Sequence, residues 1–183
     1  VVKLDHNHAA AWAHLAKLNV GEGRIAAAES ALNEVRRIQP NDPVVIELTG
    51  TVLNSLGEYE AAERFFERAH QMLPNNSSAL MNLGNVRVFL GKIDDAVALF
   101  KRAISLEPSN AQCHWGLANS ERAGSDDHVI QMQALIQSGQ QSKRAQGFLH
   151  YAIGKESEDL GNWPTAFSAF SEGARARRAT VEF

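Results

Sequence analysis

SSALMNLGNVRVFLGKIDDAVALFKRAISLEP, residues 77–108, decides the fold, because its small and apolar residues recur on both sides at one interval. Gly91 repeats as Gly57 and Gly23, Ala96 as Ala62 and Ala28, Phe100 as Phe66 and Leu32, and Pro108 as Pro74 and Pro40, each step being 34 residues. Within the stretch, Leu80, Leu83, Gly84 and Val86 mark one amphipathic helix, and Ala96, Phe100, Ala103 and Ile104 mark a second. Gly84 and Ala96 are small where two backbones must approach, while Leu83 and Phe100 fill the space beside them. Gly91 turns the chain, Asp94 and Asp95 meet the positive end of the second helix dipole, and Pro108 stops that helix. One helical hairpin cannot bury both its faces, so the unit needs neighbours and the chain reads as a repeat array.

Working outward, VVKLDH at residues 1–6 reads as the end of a preceding repeat, with His6 in the slot of the later prolines and Asn7 as the cap of the next helix. With no initiator Met, the array is expected to begin upstream and the chain to be a piece of a longer one. Repeat one, 7–40, carries Trp12, Leu15, Ala16, Gly23, Ala28, Leu32 and Pro40. Repeat two, 41–74, opens on Asp42-Pro43, a cap followed by proline where its missing N–H costs nothing, and continues through Gly50, Leu53, Gly57, Tyr59, Ala62, Phe66, Ala69 and Pro74. Repeat three is 75–108. Repeat four, 109–144, is divergent: His114, Leu117 and Ala118 are in phase, but the turn comes at Gly124-Ser125. Asp126 and Asp127 then open a helix with an apolar face of Val129, Ile130, Met132, Leu135 and Ile136, and Ser138–Arg144 reads as a polar connection. Repeat five, 145–183, has Ile153, Gly154, Gly161, Ala166, Phe170 and Gly173 in their slots and Trp163-Pro164 where Tyr59 stands in repeat two.

The joint recurrence of these positions at this period resembles the tetratricopeptide repeat family over most of the chain. The resemblance implies an all-α, right-handed solenoid of about five helix-turn-helix repeats, a protein-interaction scaffold whose concave groove binds a peptide or protein segment. GKESEDLGNWPTAFSAFSEGARARR, residues 154–178, is also similar to the last helical pair before the catalytic domain of bacterial tetratricopeptide–sulfotransferase proteins. That similarity implies an alternative, the helical accessory domain of a larger sulfotransferase. No strand followed by a phosphate-cradling loop precedes Phe183, so no catalysis is expected in this chain.

Composition narrows the partners. With 44% hydrophobic and 21% charged residues over 183 positions, the chain can bury a continuous core. Eighteen basic against 21 acidic residues give a net charge of −3, which argues against nucleic acid and anionic membrane and for protein partners. Cys113 is the single cysteine, which excludes an internal disulfide framework and a cysteine zinc site and fits a reducing, cytoplasmic setting. No apolar run reaches the roughly 18 residues of a membrane span, and no signal-peptide pattern opens the chain.

In the family, the second, fifth, ninth and twelfth repeat positions face the groove. Carried onto this sequence, the ninth gives Lys17, Thr51, Asn85, Asn119 and Lys155, and the fifth gives Ala13, Glu47, Met81, Trp115 and Tyr151. The second adds Gln112 and Phe148, and the twelfth adds Asn54, Arg122 and Glu158. Asparagine amides both donate to and accept from a peptide backbone, and exposed aromatics offer flat apolar area at small entropic cost, so Trp115 is expected to touch the ligand. The family's clamp for a C-terminal carboxylate is not matched, since Ala13, Leu48 and Ser78 stand at three of its positions beside Lys17 and Asn82. The asparagine ladder of the O-GlcNAc transferase repeats is matched only by Asn82 and Asn85. His6, His8 and His14 lack the cysteine or carboxylate spacing of a metal site, and His114 and His150 share a repeat position that packing explains. Arg175, Arg177 and Arg178 are a basic run where a helix C-terminus favours cations. No catalytic residue, metal or cofactor is expected. Apolar surface at the ends of the array predicts end-to-end self-association.

Overall fold

The computed structural model describes residues 5–180, in which ten helices and no strand occur: α1 Ala9–Gly21, α2 Ile25–Ile38, α3 Pro43–Ser55, α4 Tyr59–Met72, α5 Ser77–Phe89, α6 Ile93–Leu106, α7 Ala111–Ser120, α8 Asp127–Gln137, α9 Lys143–Asp159 and α10 Trp163–Arg178. The expected helix end at 1–6 and chain end at 180–183 fall largely on residues 1–4 and 181–183, outside those described. Helix starts follow the sequence cues. Asp42, Asn76, Asn110, Ser142 and Asn162 each cap through a side-chain oxygen, with Pro43 and Pro164 in the first turns they open. Asn7 does not cap α1. His8 does so through Nδ1, 3.1 Å from the Ala11 N–H, while the Asn7 side-chain oxygen accepts a charge-assisted bond from Arg37 at 3.0 Å. The turns before α2, α4 and α10, and the turn after α5, pass through Gly23, Gly57, Gly161 and Gly91 at φ 72°, 81°, 73° and 74°, a region where a Cβ is strained.

The chain forms two compact units, Val1–Gly91 and Lys92–Phe183. In the first, α1 packs on α2 and α3, α3 on α4, and α5 on α4 and α3. Its core is Ala13, Ala16, Ala28, Leu32 and Val35, continued by Ile46, Val52, Leu53, Ala62, Phe66, Leu80, Leu83 and Val86. Gly50 is where helices α3 and α4 meet: a Cβ there would lie 2.7 Å from the Phe66 ring. Arg87 of α5 reaches back to Glu63 at 3.2 Å and Glu67 at 3.0 Å on α4, and Tyr59 stacks on Phe89 with centroids 4.7 Å apart.

In the second unit, α6 packs on α7, and α7, α8 and α10 all pack on α9. The same glycine–phenylalanine fit recurs, a Cβ at Gly116 or Gly154 meeting the rings of Phe100 or Phe170 at 2.6 Å. The divergent helix α8 buries Val129 and Met132 in a cluster with Ala118, Leu149, Ala152 and Ile153, with Leu135 and Ile136 packed against it. Ile130, expected on that face, is 55% exposed. Val129, Met132 and Ile136 follow the helical i, i+3, i+7 stripe, and Ile130 stands one residue, about 100° of rotation, outside it. The expected polar connection is also shorter, because Lys143 and Arg144 already belong to α9 behind the Ser142 cap. Among the described residues no helix is long and apolar enough to cross a membrane.

Candidate functional site

Within the second unit, Trp115 of α7, Arg144, Gly147, Phe148 and Tyr151 of α9, and Arg177 and Thr180 at the end of α10 line a cleft of about 680 Å³. Its shape is set by two glycines. A Cβ at Gly173 would meet His150 and Tyr151 at 3.2–3.3 Å, and one at Gly147 would lie 3.9 Å from the Arg177 nitrogen, so the last turns of α10 lie close along the first turns of α9. That approach carries Arg177 and Thr180 to the cleft. The aromatic wall is continuous: Trp115 and Tyr151 have centroids 6.0 Å apart with planes tilted by 55°, and Tyr151 and Phe170 are 6.5 Å apart at 40°. Tilted pairs at this spacing favour the ring quadrupoles and stiffen the surface. Trp115 is half-buried, with one side packed on the core around Ala118 and Leu149 and the other lining the cleft.

Among the described residues neither Arg144 nor Arg177 has an ion-pair partner, whereas the neighbouring Arg175 pairs with Glu172 at 2.6 Å. Two unpaired guanidiniums beside an aromatic wall form a surface for a carboxylate next to an apolar group. In sequence, Arg144 reads as part of a connection and Arg177 as one of a terminal basic run, so neither marks itself as a neighbour of Trp115. The small residues Gly147 and Gly173 are the one sequence signal that α9 and α10 approach closely here.

The other groove candidates fall into both units. In the second, Gln112, Asn119 and Arg122 are exposed. The Asn119 amide donates to the Trp115 carbonyl of its own helix at 2.7 Å. Lys155 is committed within the protein, its Nζ donating to the Glu121 carbonyl at 2.9 Å and to Asp159 at 2.6 Å, while Asp159 also accepts the Ala123 N–H at 3.0 Å. Burial pushes the Asp159 carboxyl up, but the hydrogen bonds from Lys155 and Ala123, with the charges of Lys155 and Arg122, outweigh it and hold the group below its ordinary value. In the first unit, Lys17 and Thr51 are exposed and Glu47, Asn54, Met81, Asn82 and Asn85 are half-buried. Burial raises the Glu47 carboxyl, and Glu47 Oε1 and Asn54 Oδ1 have no hydrogen-bond partner among the described residues. No group of three or more His, Cys, Asp or Glu side chains among the described residues is arranged to hold a metal ion.

Residues 53–119 match the tetratricopeptide repeat family. No curated protein matches the chain. Among solved structures, MamA from Desulfovibrio magneticus RS-1 aligns at a TM-score of 0.61 and 20% identity, over 97% of this chain and 98% of that one. MamA of MSR-1 aligns at 0.56 and 20% identity over 93% and 97%. The nearly identical TPR-like repeats of a protein assigned as a kinesin light chain in Podosopora anserina align at 0.74 and 15% identity, over 96% and 97%. At these identities the likeness is one of fold, an all-α solenoid of tetratricopeptide repeats.

Proposed function

From the match of residues 53–119 to the tetratricopeptide repeat family and the likeness of fold over the rest, we propose that the chain is a tetratricopeptide repeat protein acting as a protein-interaction scaffold, and that the aromatic cleft of its second unit anchors a peptide or protein segment. The observation that carries this reading is the pairing, in one cleft, of the Trp115–Tyr151 wall with two guanidiniums that have no partner among the described residues. An apolar side chain of the ligand rests on the indole and on Phe148, and a neighbouring carboxylate meets Arg144 and Arg177. Gln112 and Arg122 extend the surface on that unit. Lys17, Glu47, Thr51, Asn54, Met81, Asn82 and Asn85 belong to the first unit, where the unpaired oxygens of Glu47 and Asn54 favour ligand N–H donors. The accessory-domain reading rests on the sequence resemblance over 154–178 and gains no observation from the helices.

Selection of a displayed random-peptide library on the full chain tests the proposal. Enriched peptides should combine an apolar side chain with a nearby acid. Trp115→Ala should weaken their binding most, by about 30-fold or more, since a buried aromatic anchor is worth ~2 kcal/mol or above. Selected peptides without acids, or ones that bind the Trp115→Ala and Arg144→Ala/Arg177→Ala chains as well as the parent, would remove the cleft from the function.

A further inference from the structure

The interior of the second unit contains a line of titratable groups that the cleft does not use. His114 of α7 is 0% exposed. Its Nε2 lies 2.8 Å from the Pro108 carbonyl oxygen, its Nδ1 lies 2.7 Å from His128 Nε2 of α8, and His128 Nδ1 lies 2.6 Å from Glu156 Oε1 of α9. Glu156 is itself only 4% exposed, and its other oxygen has no partner among the described residues. Three hydrogen bonds in series thus join the α6–α7 connection and three helices.

Counting protons constrains this line. A carbonyl oxygen only accepts, and so does an ionised carboxylate, so the line starts and ends on acceptors and each of its three contacts needs one proton. Two neutral imidazoles carry one N–H each. The remaining contact requires one proton more, whether it resides on an imidazole or on the carboxyl. We propose that His114, His128 and Glu156 form a proton-loaded latch, in which one extra proton ties the start of α8 to α7 and α9 and its loss to solvent releases α8.

The surroundings fit this assignment. Burial holds His114 below the ordinary imidazole value, opposed next by the Pro108 hydrogen bond and only then reinforced by the His128 charge. Other charged groups nearby are engaged elsewhere. On α9, Lys155 and Asp159 serve the Glu121 carbonyl and the Ala123 N–H. At the start of α8, Asp126 and Asp127 are exposed, and Asp127 accepts from the Ser125 hydroxyl. On α6, Lys101 pairs at the surface with Glu121, and in the connection Glu107 accepts from Asn110.

The sign of the pH dependence follows from the count. Above about pH 6.5 the open state holds two neutral imidazoles and a carboxylate, one proton fewer than the closed latch, so closing takes up a proton and weakens as pH rises. Between about pH 4.3 and 6.5 the open state holds both imidazoliums, one proton more, so closing weakens as pH falls. The acid limb is shared with His150, which burial also holds low. The alkaline limb is the latch's own.

Amide hydrogen exchange of α8 in the full chain, corrected for the intrinsic pH dependence of exchange, reads latch opening between about pH 7 and 9. Protection should fall by up to about tenfold per pH unit. In Glu156→Gln the side-chain amide itself donates to His128 Nδ1, so all three contacts close without the extra proton and the slope should vanish. Imidazole nitrogen NMR of the unsubstituted chain gives a second reading that needs no variant. Three protons on the line at pH 7 are expected, together with retained hydrogen bonds. Equal alkaline slopes in the parent and Glu156→Gln chains, no slope in the parent, or spectra with only two protons on the line at pH 7 would overturn the latch.

Discussion

Gly154 has a sharply defined stability prediction. Alanine in a helix is favoured over glycine by ~1 kcal/mol, yet the new Cβ would sit 2.6 Å from the Phe170 ring, which is also held against Tyr151 with centroids 6.5 Å apart. Overpacking of this kind costs ~1–3 kcal/mol, so Gly154→Ala should be net destabilising, read as a lower urea midpoint. Gly21 is the control. It ends α1 with open space where a Cβ would lie, no atom coming within 4 Å, and with no left-handed φ, so Gly21→Ala should stabilise by ~0.5–1 kcal/mol in the same measurement. If both substitutions acted in the same direction, the glycine–phenylalanine fit would not be the reason for glycine at 154.

For the helices, the connection between α7 and α8 is held to α9 by Asp159, which joins Lys155 and the Ala123 N–H. The Asp159 carboxyl lies below its ordinary value in the folded chain. Its contribution is therefore complete above about pH 3.9 and is lost as pH falls through the folded value. Urea unfolding at pH 5 and at pH 3 should show the parent losing more stability on acidification than Asp159→Asn, which has already lost the ion pair. Equal losses would mean that this tie contributes nothing to folding. The same network takes Lys155 out of free solution, although its repeat position is one that faces the groove in the family.

Across the whole molecule, exposed apolar side chains bear on self-association. Trp163 is 63% and Phe167 76% exposed, one helical turn apart on α10, and Phe167 lines a shallow depression with Phe170 and Ala174, flanked by Arg175 and Arg178. Apolar surface of this kind favours association. Sedimentation velocity over a concentration series should show reversible growth of larger species, and Phe167→Asp should suppress it. A chain that sediments as a monomer throughout would set that expectation aside.

The all-helical class of fold, the hairpins α1–α2, α3–α4 and α9–α10, and the caps Asp42 and Asn76 were legible in the amino-acid order, because each is a property of one helix face or one turn, whereas Asn7 reads as a cap and is not one. Recurring Gly, Ala, Phe and Pro positions report local periodicity, and the caps depend on residues about three apart or fewer. Trp115, Phe148 and Tyr151 could likewise be nominated from repeat position alone. Tertiary structure decided the rest. That Arg144 and Arg177 share the cleft with those aromatics follows from how closely α10 lies on α9 at Gly147 and Gly173. That Lys155 is bound internally, and that His114, His128 and Glu156 stand in one hydrogen-bonded line, follows from the offsets of α7, α8 and α9. The physical reason is range: periodicity specifies which face of a helix is buried, whereas a hydrogen bond between side chains on different helices needs distances near ~3 Å that only the completed packing sets.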